Sequence, residues 1–193
     1  MKRLVDSLLD KQLSVGAIKA EEIPIYRYGY TLVLEMFANI LIAIIIGIIT
    51  GWLGSIILFL IAFIPLRTYC GGYHGANFWK CLILSNALIV GAVGIVELGN
   101  FNSNLFIIAG AIGVGIILLK APCQWKTKPI SNDEVKKYRR IILLILAVGI
   151  TTVSIQWNYN PMTAELILLG YFVVGLSVMI GGVGKRGEKY EQL

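Results

Sequence analysis

The chain has 193 residues, a formal net charge of +6 and a mean hydropathy of +0.78, with 57% of its residues hydrophobic and only 15% charged. A water-soluble domain of this length carries more surface charge, and its core cannot absorb apolar residues in long unbroken runs. The positive charge does not indicate nucleic acid, because the basic residues sit between the apolar runs and form no continuous stripe.

What remains is an all-α membrane protein, and the elements follow in chain order. Within Lys2–Val15, Leu4, Leu8, Leu9 and Leu13 recur at helical spacing on one face, with Lys2, Asp6, Asp10 and Lys11 mostly away from it. The stretch reads as an N-terminal amphipathic helix, lying on the inner membrane surface or packed on cytoplasmic loops. It does not read as a signal peptide, since the first long apolar run begins only at Thr31 and no small-residue cleavage site follows. The apolar runs are Thr31–Ile49, Trp52–Leu66, Cys81–Val96, Leu105–Leu119, Ile141–Gln156 and Ala164–Gly182. A straight crossing takes about 20 residues, so several runs imply short helices or local thinning of the bilayer. Only Thr50-Gly51 separates the first two, and one helix through both would be too long, so Gly51-Trp52-Leu53-Gly54 is expected to be a tight outer turn. The expectation is about six transmembrane helices in a single unit, residues 1–193, with no internal repeat.

Charge sets the orientation. Lys2, Arg3, Lys11, Lys19 and Arg27 precede the first run, and Arg67 and Lys80 lie between the second and third. Lys120, Lys126, Lys128, Lys136, Lys137, Arg139 and Arg140 lie between the fourth and fifth, and Lys185, Arg186 and Lys189 follow the sixth. These are all 17 basic residues, and none falls in the three other loops. Basic loops stay in the cytoplasm, so six spans place both termini there. Trp52, Trp157 and Tyr159 then read as outer interfacial anchors.

The three cysteines, Cys70, Cys81 and Cys123, map to the reducing cytoplasmic side, where a structural disulfide is not expected. Together with His74 they number four, but their spacing matches no common zinc motif, so no metal is expected.

The informative segment is Arg67-Thr68-Tyr69-Cys70-Gly71-Gly72-Tyr73-His74-Gly75-Ala76-Asn77-Phe78-Trp79-Lys80-Cys81, which holds the only histidine. Three glycines within five residues permit sharp turns and do not form a plain membrane helix. One continuous helix from His74 to Cys81 would separate the two by about 10 Å along its axis, too far for a thiol–imidazole pair. Asn77 is a good N-cap, and a helix beginning there puts Cys81 in the first turn or just beyond, with the glycine turn free to fold His74 back. A helix N-terminus beside an imidazolium favours the nucleophilic thiolate.

The pattern Arg67…Gly71-Gly72-Tyr73-His74…Cys81 after two apolar runs, supported by the Ala121-Pro122…Lys128-Pro129 loop, closely resembles the accessory gene regulator protein B (AgrB) family. Those proteins are bacterial membrane cysteine endopeptidases that process the precursor of a cyclic autoinducing peptide. The resemblance implies a multi-pass protein of the bacterial cell membrane with a cytoplasm-facing active site, no cofactor and an AgrD-like precursor as partner. A homodimer stays open. Carried over by motif position, His74 and Cys81 are the catalytic pair and Arg67 and Gly72 the other required positions, while Cys70 does not match the nucleophile. The implied reaction is cleavage through a Cys81 thioester, which an internal Cys or Ser of the peptide opens to give a thiolactone or lactone quorum-sensing signal. Asn77, Asn86 and Glu35 are candidates for an orienting group. Arg67 reads either as a topology anchor or as a partner for a substrate carboxylate or oxyanion, and the 120–140 loop as a dock for an acidic precursor segment or anionic lipid. Of other classes, a small peptide transporter or exporter without proteolytic activity lacks the internal symmetry and paired charges expected of it. A membrane metalloenzyme is difficult with one histidine.

Overall fold

The computed structural model describes residues 2–71, 78–99, 101–122 and 132–187. Among them the structure is all-helical. Its seven α-helices are α1 (Lys2–Ser14), α2 (Ile23–Thr50), α3 (Leu53–Cys70), α4 (Phe78–Leu98), α5 (Ser103–Lys120), α6 (Asn132–Tyr159) and α7 (Pro161–Gly187). Five of these, α2, α3, α5, α6 and α7, are long and apolar enough to cross a membrane, and α4 carries a shorter apolar stretch, Leu82–Leu98.

The breaks between helices have local causes. α2 ends at Gly51, whose φ of 79° is a left-handed conformation that only glycine adopts without strain, and α3 restarts at Leu53. The turn is therefore Gly51-Trp52, narrower than the four residues expected, because one left-handed glycine reverses the chain by itself. Asn160 alone divides α6 from α7: its side chain accepts from the Thr163 N–H at 3.4 Å, and Pro161 opens the new helix. Asn102 caps α5 in the same way, accepting from the Asn104 N–H at 3.0 Å.

α2 and α6 begin well before the apolar runs at Thr31 and Ile141. Backbone hydrogen bonding carries each helix past the edge of its hydrophobic stretch, giving α2 a polar first section, Ile23–Tyr30, and α6 a charged one, Asn132–Arg140. α1 packs on the first of these. Val5, Leu9 and Ile18 are buried against Ile23, Tyr30 and Leu34, Asp6 pairs with Arg27 at 3.0 Å, and the Gln12 amide donates to the Tyr30 hydroxyl. Leu8 and Leu13 are about two-fifths exposed, so the four leucines do not share one buried face. Five residues apart, these two diverge by about 140° and flank the Val5–Leu9 stripe, which is the one that meets α2.

α7 is the centre of the bundle: 61% of its apolar window is buried, against 11% for α2 and for α6. It packs on α3, α5, α6 and α4. Toward one end, Phe59 and Leu60 of α3, Val93 of α4 and Phe106 of α5 surround Leu166 and Leu169; toward the other, Leu66, Ile117, Ile142 and Leu146 surround Tyr171, Val174 and Val178. The α5–α7 crossing is the tightest. A Cβ on Gly175 would stand 2.8 Å from the Gly113 Cα, and one on Gly113 would strike the backbone of Tyr171 and Phe172. Lipid supplies no hydrophobic drive between helices, so close approach at small residues is what holds such a pair.

Candidate functional site

The glycine-rich segment leaves α3 at a fixed point. The Gly71 N–H donates to the Arg67 carbonyl at 3.2 Å, and the Gly71 carbonyl accepts from the Arg67 guanidinium. One residue thus holds both polar groups of Gly71, whose φ is 70°. Two neighbours brace this end of α3. Tyr69 packs its ring on Tyr138 of the charged section of α6, with centroids 5.8 Å apart. Cys70 is fully buried in the cluster around Tyr171 and Val174.

The other side of the segment is α4. Cys81 is the fourth residue of that helix as described from Phe78, which puts its backbone at the first turn. Gly72, His74 and Asn77 lie outside the described residues, as does Cys123. The structure therefore brackets the motif between Gly71 and Phe78 and fixes the backbone frames of Arg67 and Cys81.

Glu35 lies on α2, half-exposed, and its carbonyl accepts from the Asn39 amide at 2.9 Å. Asn39 in turn accepts from Asn86 of α4 at 2.8 Å. Glu35 and Asn39 are four residues apart, so Glu35 occupies the stripe of α2 that faces α4, one turn nearer the polar end.

Sequence reasoning missed several polar pairs. Ser55 of α3 donates to Glu97 of α4 at 2.5 Å, and Ser103 of α5 to Glu165 of α7 at 2.7 Å. Both carboxylates stand at the helix ends opposite the motif. The Asn39–Asn86 link was also missed, although these are the only asparagines inside the six apolar runs. Polar residues at such depth are a signal for interhelical bonding or function. Trp52 and Trp157, expected as interfacial anchors, both pack against the first apolar cluster, whereas Tyr159 is exposed.

Among the described residues the fold is all-helical, with five apolar helices of membrane-spanning length and polar pairs linking helices, the build of a multi-pass membrane protein. Within that class it belongs to the Accessory gene regulator B family, whose profile matches residues 1–179. It is 21% identical over 180 residues to an AgrB-like protein of Halalkalibacterium halodurans, covering 92% of this chain and 90% of that protein. It is 26% identical over 152 residues to the Accessory gene regulator protein B of Staphylococcus aureus strain MW2, covering 78% of this chain and 74% of that one. An AgrB-like protein of Clostridium perfringens strain SM101 is 21% identical over 182 residues, covering 88% of this chain and 83% of its own length. No solved structure matches the chain.

Proposed function

We propose that the chain is a membrane cysteine endopeptidase that cleaves an AgrD-like precursor near its C-terminal part and cyclises what remains into a thiolactone or lactone signal. The bundle crosses the bacterial cell membrane six times, α4 included, with both termini and the motif on the cytoplasmic side. The observation that carries this reading is the bracket around the motif in a chain of the AgrB family: Arg67 holds Gly71 at one end, and Cys81 stands in the first described turn of α4 at the other.

His74 takes the Cys81 thiol proton, and the sulfur attacks a peptide carbonyl. The C–N bond breaks, the amine takes the proton and departs with the C-terminal tail, and the acyl group stays on Cys81 as a thioester. An internal Cys or Ser of the peptide then attacks that carbonyl, closes the ring and returns the thiol. Where the ring-closing residue is Cys, thiol–thioester exchange is near isoenergetic, so the energy of the intermediate survives into a thiolactone product, provided water is excluded meanwhile. Burial of Cys70 supports Cys81 as the nucleophile, because a packed thiol is a poor one.

The test is cleavage of the precursor by purified variants. Cys81→Ala and His74→Ala each abolish it while the protein still accumulates, and Cys70→Ala and Cys123→Ala retain it. With a precursor whose ring-closing residue is changed to Ala, intact-mass analysis finds a hydroxylamine-sensitive adduct on Cys81. Loss of cleavage in Cys70→Ala alone, or tail release with no Cys81-linked species on rapid quenching, overturns the reading.

A further inference from the structure

Asn86 is 7% exposed and lies inside the apolar stretch Leu82–Leu98. Its Nδ2 donates twice, to the Leu82 carbonyl at 2.9 Å and across to Asn39 Oδ1 at 2.8 Å, and Asn39 Nδ2 donates onward to the Glu35 carbonyl at 2.9 Å. The ladder runs one way, from amide to amide to backbone. Asn86 Oδ1 is left over: it is buried and accepts nothing among the described residues.

Stability does not account for this arrangement. A buried acceptor without a donor costs stability, and an interhelical hydrogen bond in a membrane returns no more than that. Two apolar side chains of similar size would serve the fold at least as well. An amide pair supplies direction instead: it admits one rotation and one register of α4 against α2, where two leucines would tolerate a range. At the far end of α4, Ser55–Glu97 makes a second directed bond, to α3. The two together fix α4 about its own axis.

Cys81 precedes Asn86 by five residues, about 7.5 Å along the helix and about 140° around it. Rotation of α4 therefore moves Cys81 directly. A misplacement of about 1 Å in a reacting group can cost on the order of 100-fold in rate. We infer that Asn39 and Asn86 are positioning residues for the nucleophile, setting the rotation of α4 and with it the thiol of Cys81. This rests on the reading of Cys81 as nucleophile.

The test uses the purified full chain in detergent or lipid nanodiscs with the precursor peptide. The double variant Asn39→Leu/Asn86→Leu accumulates and melts like the parent and keeps its KM, while kcat falls about 10- to 100-fold. Asn39→Asp, which keeps an acceptor for Asn86 Nδ2, retains most of kcat, and Asn39→Leu does not. Three results overturn the inference: an unchanged kcat in the double variant, a loss that tracks the amount of folded protein, or an Asn39→Asp variant as impaired as Asn39→Leu. Cys81→Ala, assayed alongside, separates the two readings. Activity in that variant removes the nucleophile itself, whereas a dead Cys81→Ala beside a fully active double variant removes only the positioning role.

Discussion

Arg67 illustrates how one residue serves two ends. As a charge at the C-terminal end of α3 it suits any topology anchor, and a lysine would do as well. As the donor to the Gly71 carbonyl it works from a planar, pre-organised guanidinium, which lysine's flexible ammonium does not reproduce. Arg67→Lys is therefore expected to insert and accumulate normally yet lose most precursor cleavage; normal cleavage by that variant would reduce Arg67 to an anchor. A second residue-scale prediction lies away from the motif. The Tyr171 hydroxyl occupies the place a methyl on Gly149 would take. Gly149→Ala should thus cost about 1–3 kcal/mol by overpacking, read as a lower melting temperature in detergent. Adding Tyr171→Phe should recover part of that loss. At this scale the sequence could put forward Arg67, His74 and Cys81 from a local pattern, since chain spacing alone carries it. It could not pair Asn39 with Asn86 or Ser55 with Glu97, because nothing in one helix says which stripe of another it will meet.

The helices themselves were legible wherever hydrophobicity defines them. Every apolar run lies within one helix but for Trp52, and the break at Gly51 was foreseen from the length limit on a single span. Helix ends were less legible. α2 extends into polar and α6 into charged sequence because a helix, once nucleated, continues for as long as its backbone bonds are satisfied. The α5–α7 crossing offers a test of packing at the level of the element. Gly113→Ala and Gly175→Ala each drive a methyl into the facing backbone and should lower both accumulation and melting temperature. Gly115→Ala, on the same helix as Gly113 but with nothing within 4 Å, should leave both unchanged. Equal effects at Gly113 and Gly115 would mean that helix propensity, and not the crossing, decides.

For the molecule as a whole, the placement of the basic residues gives the topology a direct check. In a background without Cys70, Cys81 and Cys123, Ser103→Cys and Asn160→Cys should label with a membrane-impermeant reagent on intact cells, and Ser131→Cys should label only after lysis. Labelling at position 131 from outside would overturn the six-span arrangement. What the sequence could not convey at this scale is the hierarchy among the helices. α2 is the most apolar run to the eye and yet peripheral, while α7 holds the bundle together, and hydropathy does not distinguish lipid from protein as a neighbour.

The central place of α7 bears on how the protein is made. About 100 residues of synthesis separate the start of α3 from the start of α7, roughly 5 to 20 seconds at ordinary translation rates. Through that interval Phe59 and Leu66 have no α7 to pack on and face lipid, a surrounding as apolar as the partner they await, so the delay carries little penalty. The polar contacts follow a different schedule. Asn86 emerges after Asn39, and Glu97 after Ser55, so both bonds can close as soon as α4 is made. Ser103 alone must wait for Glu165. The nascent chain can thus set the angle of α4, the helix that carries Cys81, before the bundle that encloses it exists.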